Sequence, residues 1–212
     1  MAVELLSTAD AQVLFDHLPE RDRIPTLRPD VLAAAAAGSA DGMLLHLLVT
    51  DSSGLILNSV IERGIPGTDR CDWMDPYNYG GILVTGDRDP ARWTGIEARA
   101  RDRGVVAEFH RFHPLSDARF LRTPVARFDR LTVAIPLDAD FDAGAHFKPS
   151  AIGALKKAVN SGVEVRETRL GESRFGHRYR ELMLAKNARP ELVFDDAYFR
   201  RLASTGTTRL LE

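Results

Sequence analysis

Cysteine is almost absent: Cys71 is the only one among 212 residues. That excludes an intramolecular disulfide framework and any cysteine-rich zinc site. Cys71 follows Arg70 but has no nearby feature that would activate it, so it reads as an incidental thiol. Long apolar runs are missing as well. The stretch 43–49 is interrupted by His46 and falls far short of the ~20 residues needed to cross a bilayer. No basic start precedes an apolar run near the first residue, where Glu4, Asp10 and Asp16 stand instead. The expectation is a cytoplasmic chain with no membrane span. Several catalytic signatures are lacking too: no Gly-x-Gly-x-x-Gly after a strand, no phosphate-binding loop ending in Gly-Lys-Ser or Gly-Lys-Thr, no Gly-x-Ser-x-Gly and no His-Glu-x-x-His. Dinucleotide dehydrogenase, P-loop ATPase, serine hydrolase and zincin readings lose their support. His110 and His113 resemble a metal pair, but a spacing of three on a strand sends side chains to opposite faces, so no metal site is expected.

What is present is an ordinary globular composition, 44% hydrophobic and 27% charged. A compact chain of this mass exposes about 9,800 Å² of about 34,000 Å² extended, so roughly 70% burial is expected. The net charge is -2, yet it is unevenly placed. Residues 148–189 hold ten Lys or Arg against four Glu, giving +6 there and -8 elsewhere. A basic segment of this kind faces either an anionic ligand or bulk water.

Patterning gives the order of elements. Thr8 and Pro29 open two short helices, the second alanine-rich and ended by Gly38. Apolar runs at 43–50 and 55–62, joined by Asp51-Ser52-Ser53-Gly54, read as a hairpin. Residues 63–81 carry four Gly and two Pro and read as a long loop. A short strand at 82–85, a helix from Pro90 to Arg103 closed by Gly104, and strands at 105–112 and 127–137 follow. Ser150 opens a helix to Asn160 with Ile152, Leu155 and Val159 as its inward stripe, then a strand at 163–169 and helices at 172–188 and 195–202. The expected class is α/β or α+β, with a mixed, largely antiparallel sheet flanked by helices.

Three segments carry a resemblance. Asp75-Pro76-Tyr77-Asn78-Tyr79-Gly80-Gly81 is similar to the Pro-Tyr-Gly-Tyr-Gly-Gly-Pro loop of Fem-type (FemABX-like) transferases of the GNAT acyltransferase superfamily. Phe112-His113-Pro114-Leu115 closes a strand as in that family, and Leu155-Lys156-Lys157-Ala158 with Gly162-Val163-Glu164-Val165 resembles its helix-to-strand unit. Tyr179-Arg180-Glu181-Leu182-Met183, Phe194 and Tyr198-Phe199 continue the parallel. The residues have a physics of their own. Gly80 and Gly81 permit positive φ or close approach of a ligand. Tyr77 and Tyr79 offer hydroxyls and flat faces, or else pack the loop on the core. Lys156 and Lys157 lie off the apolar stripe and either hold phosphates as point charges or are solvated. Tyr179 and Met183 read as core.

The resemblance implies a GNAT-like fold and transfer of an activated acyl or aminoacyl group onto an amine, in a small molecule or a peptidoglycan precursor. It implies no bound cofactor, with acyl-CoA or aminoacyl-tRNA as co-substrate and tRNA as a partner. Tyr77, Tyr79, Gly80, Lys156 and Lys157 are the implied binding residues; Glu108 and His110 are the weak candidates for a catalytic base. Residues 1–147 correspond to a first GNAT-like module, with the Tyr/Gly loop at 72–81, and residues 148–212 to the basic start of a second. Most of that second module is expected to be missing, the chain being either truncated or a naturally shortened one that pairs with another copy or a separate polypeptide, with residues 207–211 opening a further strand of it. The superfamily's acyl-CoA signature, Arg or Gln then x-x-Gly-x-Gly or Gly-x-Ala, is not found. The alternative is a non-catalytic binding or scaffold subunit, active only as a homodimer or with a complementing second polypeptide.

Overall fold

A computed structural model describes residues 2–37, 42–77, 79–122, 126–129, 131–133, 135, 140–170 and 174–212. The chain opens with β1 (Glu4–Leu6), α1 (Thr8–Asp16) and α2 (Pro29–Ala36). Ser7 caps α1 by accepting the Asp10 N–H, and Pro29 occupies the first turn of α2, where its missing donor costs nothing. Gly38, expected to end α2, lies outside the described residues.

The hairpin forms as its apolar runs require. β2 (Gly42–Asp51) and β3 (Gly54–Gly64) pair in continuous antiparallel register from Gly42 opposite Arg63 to Asp51 opposite Gly54. The stretch read as one long loop contains a strand, β4 (Cys71–Met74), followed after the Tyr/Gly loop by β5 (Ile82–Val84). Four residues between Gly- and Pro-rich flanks are too few for periodicity to register. A 3₁₀ turn (Pro90–Trp93), capped by the Asp89 carboxylate on Ala91 N–H, leads into α3 (Thr94–Asp102) and then β6 (Val105–Phe109). β6 ends three residues earlier than expected.

The sheet order is β1-β2-β3-β4-β6, with β5 also on β3. β3 therefore serves two partners in succession: β5 at Ile56–Asn58 and β4 at Ile61–Gly64. Only β4 and β6 run parallel, as the crossover through α3 dictates. Among the described residues, seven helices and a mixed, mostly antiparallel six-stranded sheet make this an α+β fold. Among the described residues no helix is long and apolar enough to cross a membrane.

Alternation along β2 and β3 sends residues to two cores. Leu45, Leu47, Val49 and Val60 pack with Trp73, Trp93 and Ile96 on the α3 side, while Leu48 and Leu57 meet Ala11 and Phe15 of α1 on the other. Glu62 of β3 accepts two bonds from Arg103 (both 2.6 Å) and one from the Trp73 indole (2.9 Å), tying β3, β4 and the end of α3 together. Asn58 shares the first core's face, fully buried, with neither side-chain amide atom hydrogen-bonded among the described residues.

The C-terminal part comprises α4 (Ala143–His146), α5 (Pro149–Asn160), β7 (Glu167–Thr168), α6 (Phe175–Ala185), α7 (Asp196–Ser204) and β8 (Leu210–Leu211). Here several expectations fail. The strand at 163–169 shrinks to β7 and the one at 207–211 to β8, and the two pair with each other in a two-stranded sheet separate from the first. Of the strand at 127–137, residues 130, 134, 136 and 137 lie outside the described set, and the others are not in a sheet. The stripe on α5 is not inward: Leu155 is 55% and Val159 63% exposed, and no α5 residue is buried. The accessible surface of 13894 Å² reflects this, leaving roughly 60% buried instead of 70%. A third core gathers Leu170, Phe199 and Leu210 with Phe175, Tyr179, Phe194 and Tyr198.

Gly81 tests the packing. A Cβ there would stand 1.6 Å from the Ser59 carbonyl oxygen, whereas one at Gly153, inside α5, would meet nothing within 4 Å. Urea denaturation is expected to show Gly81→Ala losing more than about 3 kcal/mol or failing to fold. Gly153→Ala is expected to gain about 0.5–1 kcal/mol from helix propensity.

Candidate functional site

Parallel strands β4 and β6 end side by side, and the crevice outside the carboxyl ends of parallel strands is where open α/β sheets bind ligands. The Tyr/Gly loop leaves the sheet at this point. Its first residue, Asp75, is the hub. The Asp75 N–H donates to the Phe109 carbonyl (3.1 Å), continuing the β4–β6 ladder. Its Oδ1 accepts the Gly81 N–H (3.1 Å) and the His110 Nδ1–H (2.9 Å), and its Oδ2 accepts the Arg111 N–H. One buried carboxylate thus closes the loop on itself and fastens it to the end of β6, which explains the early end of that strand.

His110 lies between two carboxylates: Asp75 at Nδ1 and Glu108, whose Oε2 is 3.5 Å from Nε2. The ring is sealed by the edge of Trp93 and by Phe112. Burial alone would push its pKa down, but the hydrogen bond to Asp75 and the negative charge of Asp75 and Glu108 outweigh it, and His110 is pushed up to about 9. It is therefore an imidazolium at neutral pH. A charged, enclosed histidine cannot accept a proton from an amine, so the weak base candidates His110 and Glu108 come together as a structural ion cluster. The two carboxylates flank one ring instead of converging on a point, and no group of His, Cys, Asp and Glu among the described residues is arranged to hold a metal ion.

The loop's outer residues form an aromatic rim. Tyr77 is 46% exposed and meets Phe194 edge-on, with centroids 4.6 Å apart. That contact joins the loop to the third core, where Phe194 stacks on Tyr198. Tyr79 meets His113 edge-on at 5.6 Å. The Leu115 N–H donates to His113 Nδ1 (3.1 Å), which fixes the neutral ring with its proton on Nε2. Burial holds the His113 pKa below the usual histidine value, so at neutral pH the ring is a hydrogen-bond donor at Nε2.

Gly80 has a φ of +22°, and a Cβ there would lie 2.7 Å from the Arg111 carbonyl oxygen. Both loop glycines thus serve close approach to the protein's own backbone. Asn78 lies outside the described residues. Lys156 and Lys157 project from exposed α5, and among the described residues no hydrogen bond or ion pair joins either to the loop. Tyr179 is half-buried, its hydroxyl donating to the Leu192 carbonyl (2.5 Å), as befits a packing residue. Sequence reasoning missed Asp75 as the anchor although it begins the motif; its position immediately after an apolar run and six residues before a Gly was the available signal. Asn58 gave no signal at all. Buried Cys71 has its thiol pKa pushed up by burial and by Glu62, which keeps it unreactive.

No family model, curated protein or solved structure matches the chain.

The ion cluster predicts a pH dependence. An unfolded histidine titrates near 6.5, so the stability that His110 contributes is fully present below that pH and lost as pH rises through about 9, on the order of 3 kcal/mol. His46, buried against Ser59 and Thr8 and pushed down to about 4 by burial, acts oppositely: its contribution holds above pH 6.5 and is lost as pH falls towards 4. Denaturation across pH 4–10 is expected to show both flanks, and Asp75→Asn to remove most of the alkaline one.

Proposed function

We propose that this chain is an acyl- or aminoacyl-transferase of the Fem-type GNAT group, working in the cytoplasm on an amine acceptor. The observation that carries the reading is the Tyr/Gly loop held by Asp75 at the carboxyl ends of β4 and β6, in the segment that resembles the family. Attack of an amine on an activated ester or thioester is governed mainly by alignment and by hydrogen bonds to the developing oxyanion. A rigid loop with two tyrosines and a neutral His113 donor suits that task. Tyr77 and Tyr79 would hold the acceptor or the acyl donor against the rim, and His113 Nε2–H would face the carbonyl oxygen. The amine's proton passes to solvent or to the leaving group, since His110 is already charged. Acyl-CoA and aminoacyl-tRNA are the donors the resemblance suggests, with a small amine or a peptidoglycan precursor as acceptor. The basic excess of residues 148–189 favours an anionic donor.

The exposed apolar stripe of α5 supports a second reading, in which the chain is a binding subunit that acts only with a second copy or a complementing polypeptide. Both are tested by one assay. The protein is incubated with acyl-CoAs or charged tRNAs and amine acceptors, alone and with added cell extract, and acyl transfer is followed. Transfer by the isolated chain is expected, with Tyr77→Ala and Tyr79→Ala lowering kcat/KM about tenfold or more and leaving the melting temperature within a few degrees. Transfer that needs the extract selects the second reading. No transfer in any combination contradicts both.

A further inference from the structure

Where α7 packs on α2, with Thr8 of α1 also in the wall, a groove of about 320 Å³ remains. It exists because the alanine-rich α2 presents Ala33 and Ala34 there, with no side chain long enough to fill it. Arg201 of α7 stands in its wall. The Nε of this guanidinium is sealed from solvent, and Arg201 has neither a hydrogen-bond acceptor nor an ion-pair partner among the described residues. Asp30, also in the wall, does not neutralise it. Both Asp30 oxygens are taken by a two-pronged bond from Arg28 (3.0 and 2.8 Å), and Oδ1 also accepts the Val31 N–H (2.7 Å). The Arg28–Asp30 pair cancels, and Arg201 leaves the groove with one uncompensated positive charge.

The rest of the polar wall has the opposite character. The Ser204 hydroxyl donates to the Arg201 carbonyl (2.7 Å) and the Thr205 hydroxyl to the Leu202 carbonyl (2.8 Å). Both hydrogens are spent, and the Thr205 oxygen also accepts from the Thr207 hydroxyl (2.9 Å) and the Thr207 N–H (3.4 Å), which leaves the Ser204 oxygen as the acceptor a ligand meets. Ser204 also sits at the C-terminal end of α7, where the helix dipole favours positive charge. A ligand that satisfies the groove needs an oxyanion for Arg201 and N–H donors on a positive group a short distance away. An anion alone would leave the hydroxyl end unmatched, and an amine alone would meet Arg201.

We propose that this groove binds a small α-amino acid, carboxylate on Arg201 and ammonium towards Ser204. The site is separate from the Tyr/Gly loop and does not depend on the transferase reading, because its occupancy is read without any reaction.

The test is calorimetric titration of the full chain with glycine, alanine and serine, and with acetate, methylammonium and inorganic phosphate as single-charge probes. At least one amino acid is expected to bind with a Kd below about 1 mM, at least tenfold more tightly than any of the three probes. Arg201→Met, which keeps the apolar stem, is expected to weaken binding at least tenfold. Ala33→Leu fills the groove and is expected to do the same, and if it fails to fold, Arg201→Met decides alone. Absence of binding, equal binding of acetate or phosphate, or unchanged affinity in Arg201→Met would overturn the assignment.

Discussion

The buried carboxylate of Asp75 is the constraint on which this architecture turns. It accepts bonds from a glycine N–H six residues on, from a histidine ring and from the backbone at Arg111. A charge in this position would be costly without partners. It is retained because the His110 imidazolium and two backbone N–H groups surround it, and Glu108 supports the imidazolium from the other side. In exchange, a seven-residue loop with little hydrophobic content of its own is fixed to the sheet at one spot. The two glycines at its end can then lie against the backbone of Ser59 and Arg111, closer than any other residue allows.

From that loop the connections run outwards. Ser59 N–H donates to the Gly81 carbonyl (2.8 Å), at the place where β3 passes from β5 to β4. Ser59 also meets His46, and His46 meets Thr8 of α1, so a polar thread crosses the sheet from the loop to the helices on its far face. In the other direction Tyr77 reaches Phe194, the rim of an aromatic core that orders α6 and α7. Among the described residues the C-terminal part meets the rest through the Tyr77 contact and the packing of α7 on α2, while α5 leaves Leu155 and Val159 of its apolar stripe exposed. That exposed stripe is the feature a partner or a second copy would cover.

The sequence was legible where elements were long and half-buried. Ten alternating residue pairs made the β2–β3 hairpin plain, and Asp195, which accepts the Tyr198 N–H, marked the start of α7. It was illegible where a few residues are placed by distant partners. β4 is a strand because Trp73 and Cys71 are covered by α3 and paired on both edges, a tertiary fact that a four-residue window does not record. The stripe on α5 has the period of a buried helix yet faces water, since amphipathicity specifies which face seeks cover and not whether cover is supplied. At the site, the resemblance drew attention to the tyrosines and glycines of the loop that Asp75 anchors. The Asp75–His110–Glu108 cluster was out of reach, because 35 residues separate Asp75 from His110 and only the parallel pairing of β4 with β6 brings them together.

The loop is held in place by charge, and the transfer reaction proposed for it depends on alignment more than on side-chain machinery. The central claim is that His110 is a buried cation locked between Asp75 and Glu108. Nitrogen-15 NMR of the histidine rings across pH 6–10 tests it most directly, with His110 assigned by its loss in His110→Gln. The account predicts both His110 nitrogens protonated at pH 7.5, with the ring losing its proton near pH 9. A neutral ring at pH 7, titrating at or below 6.5, would contradict it.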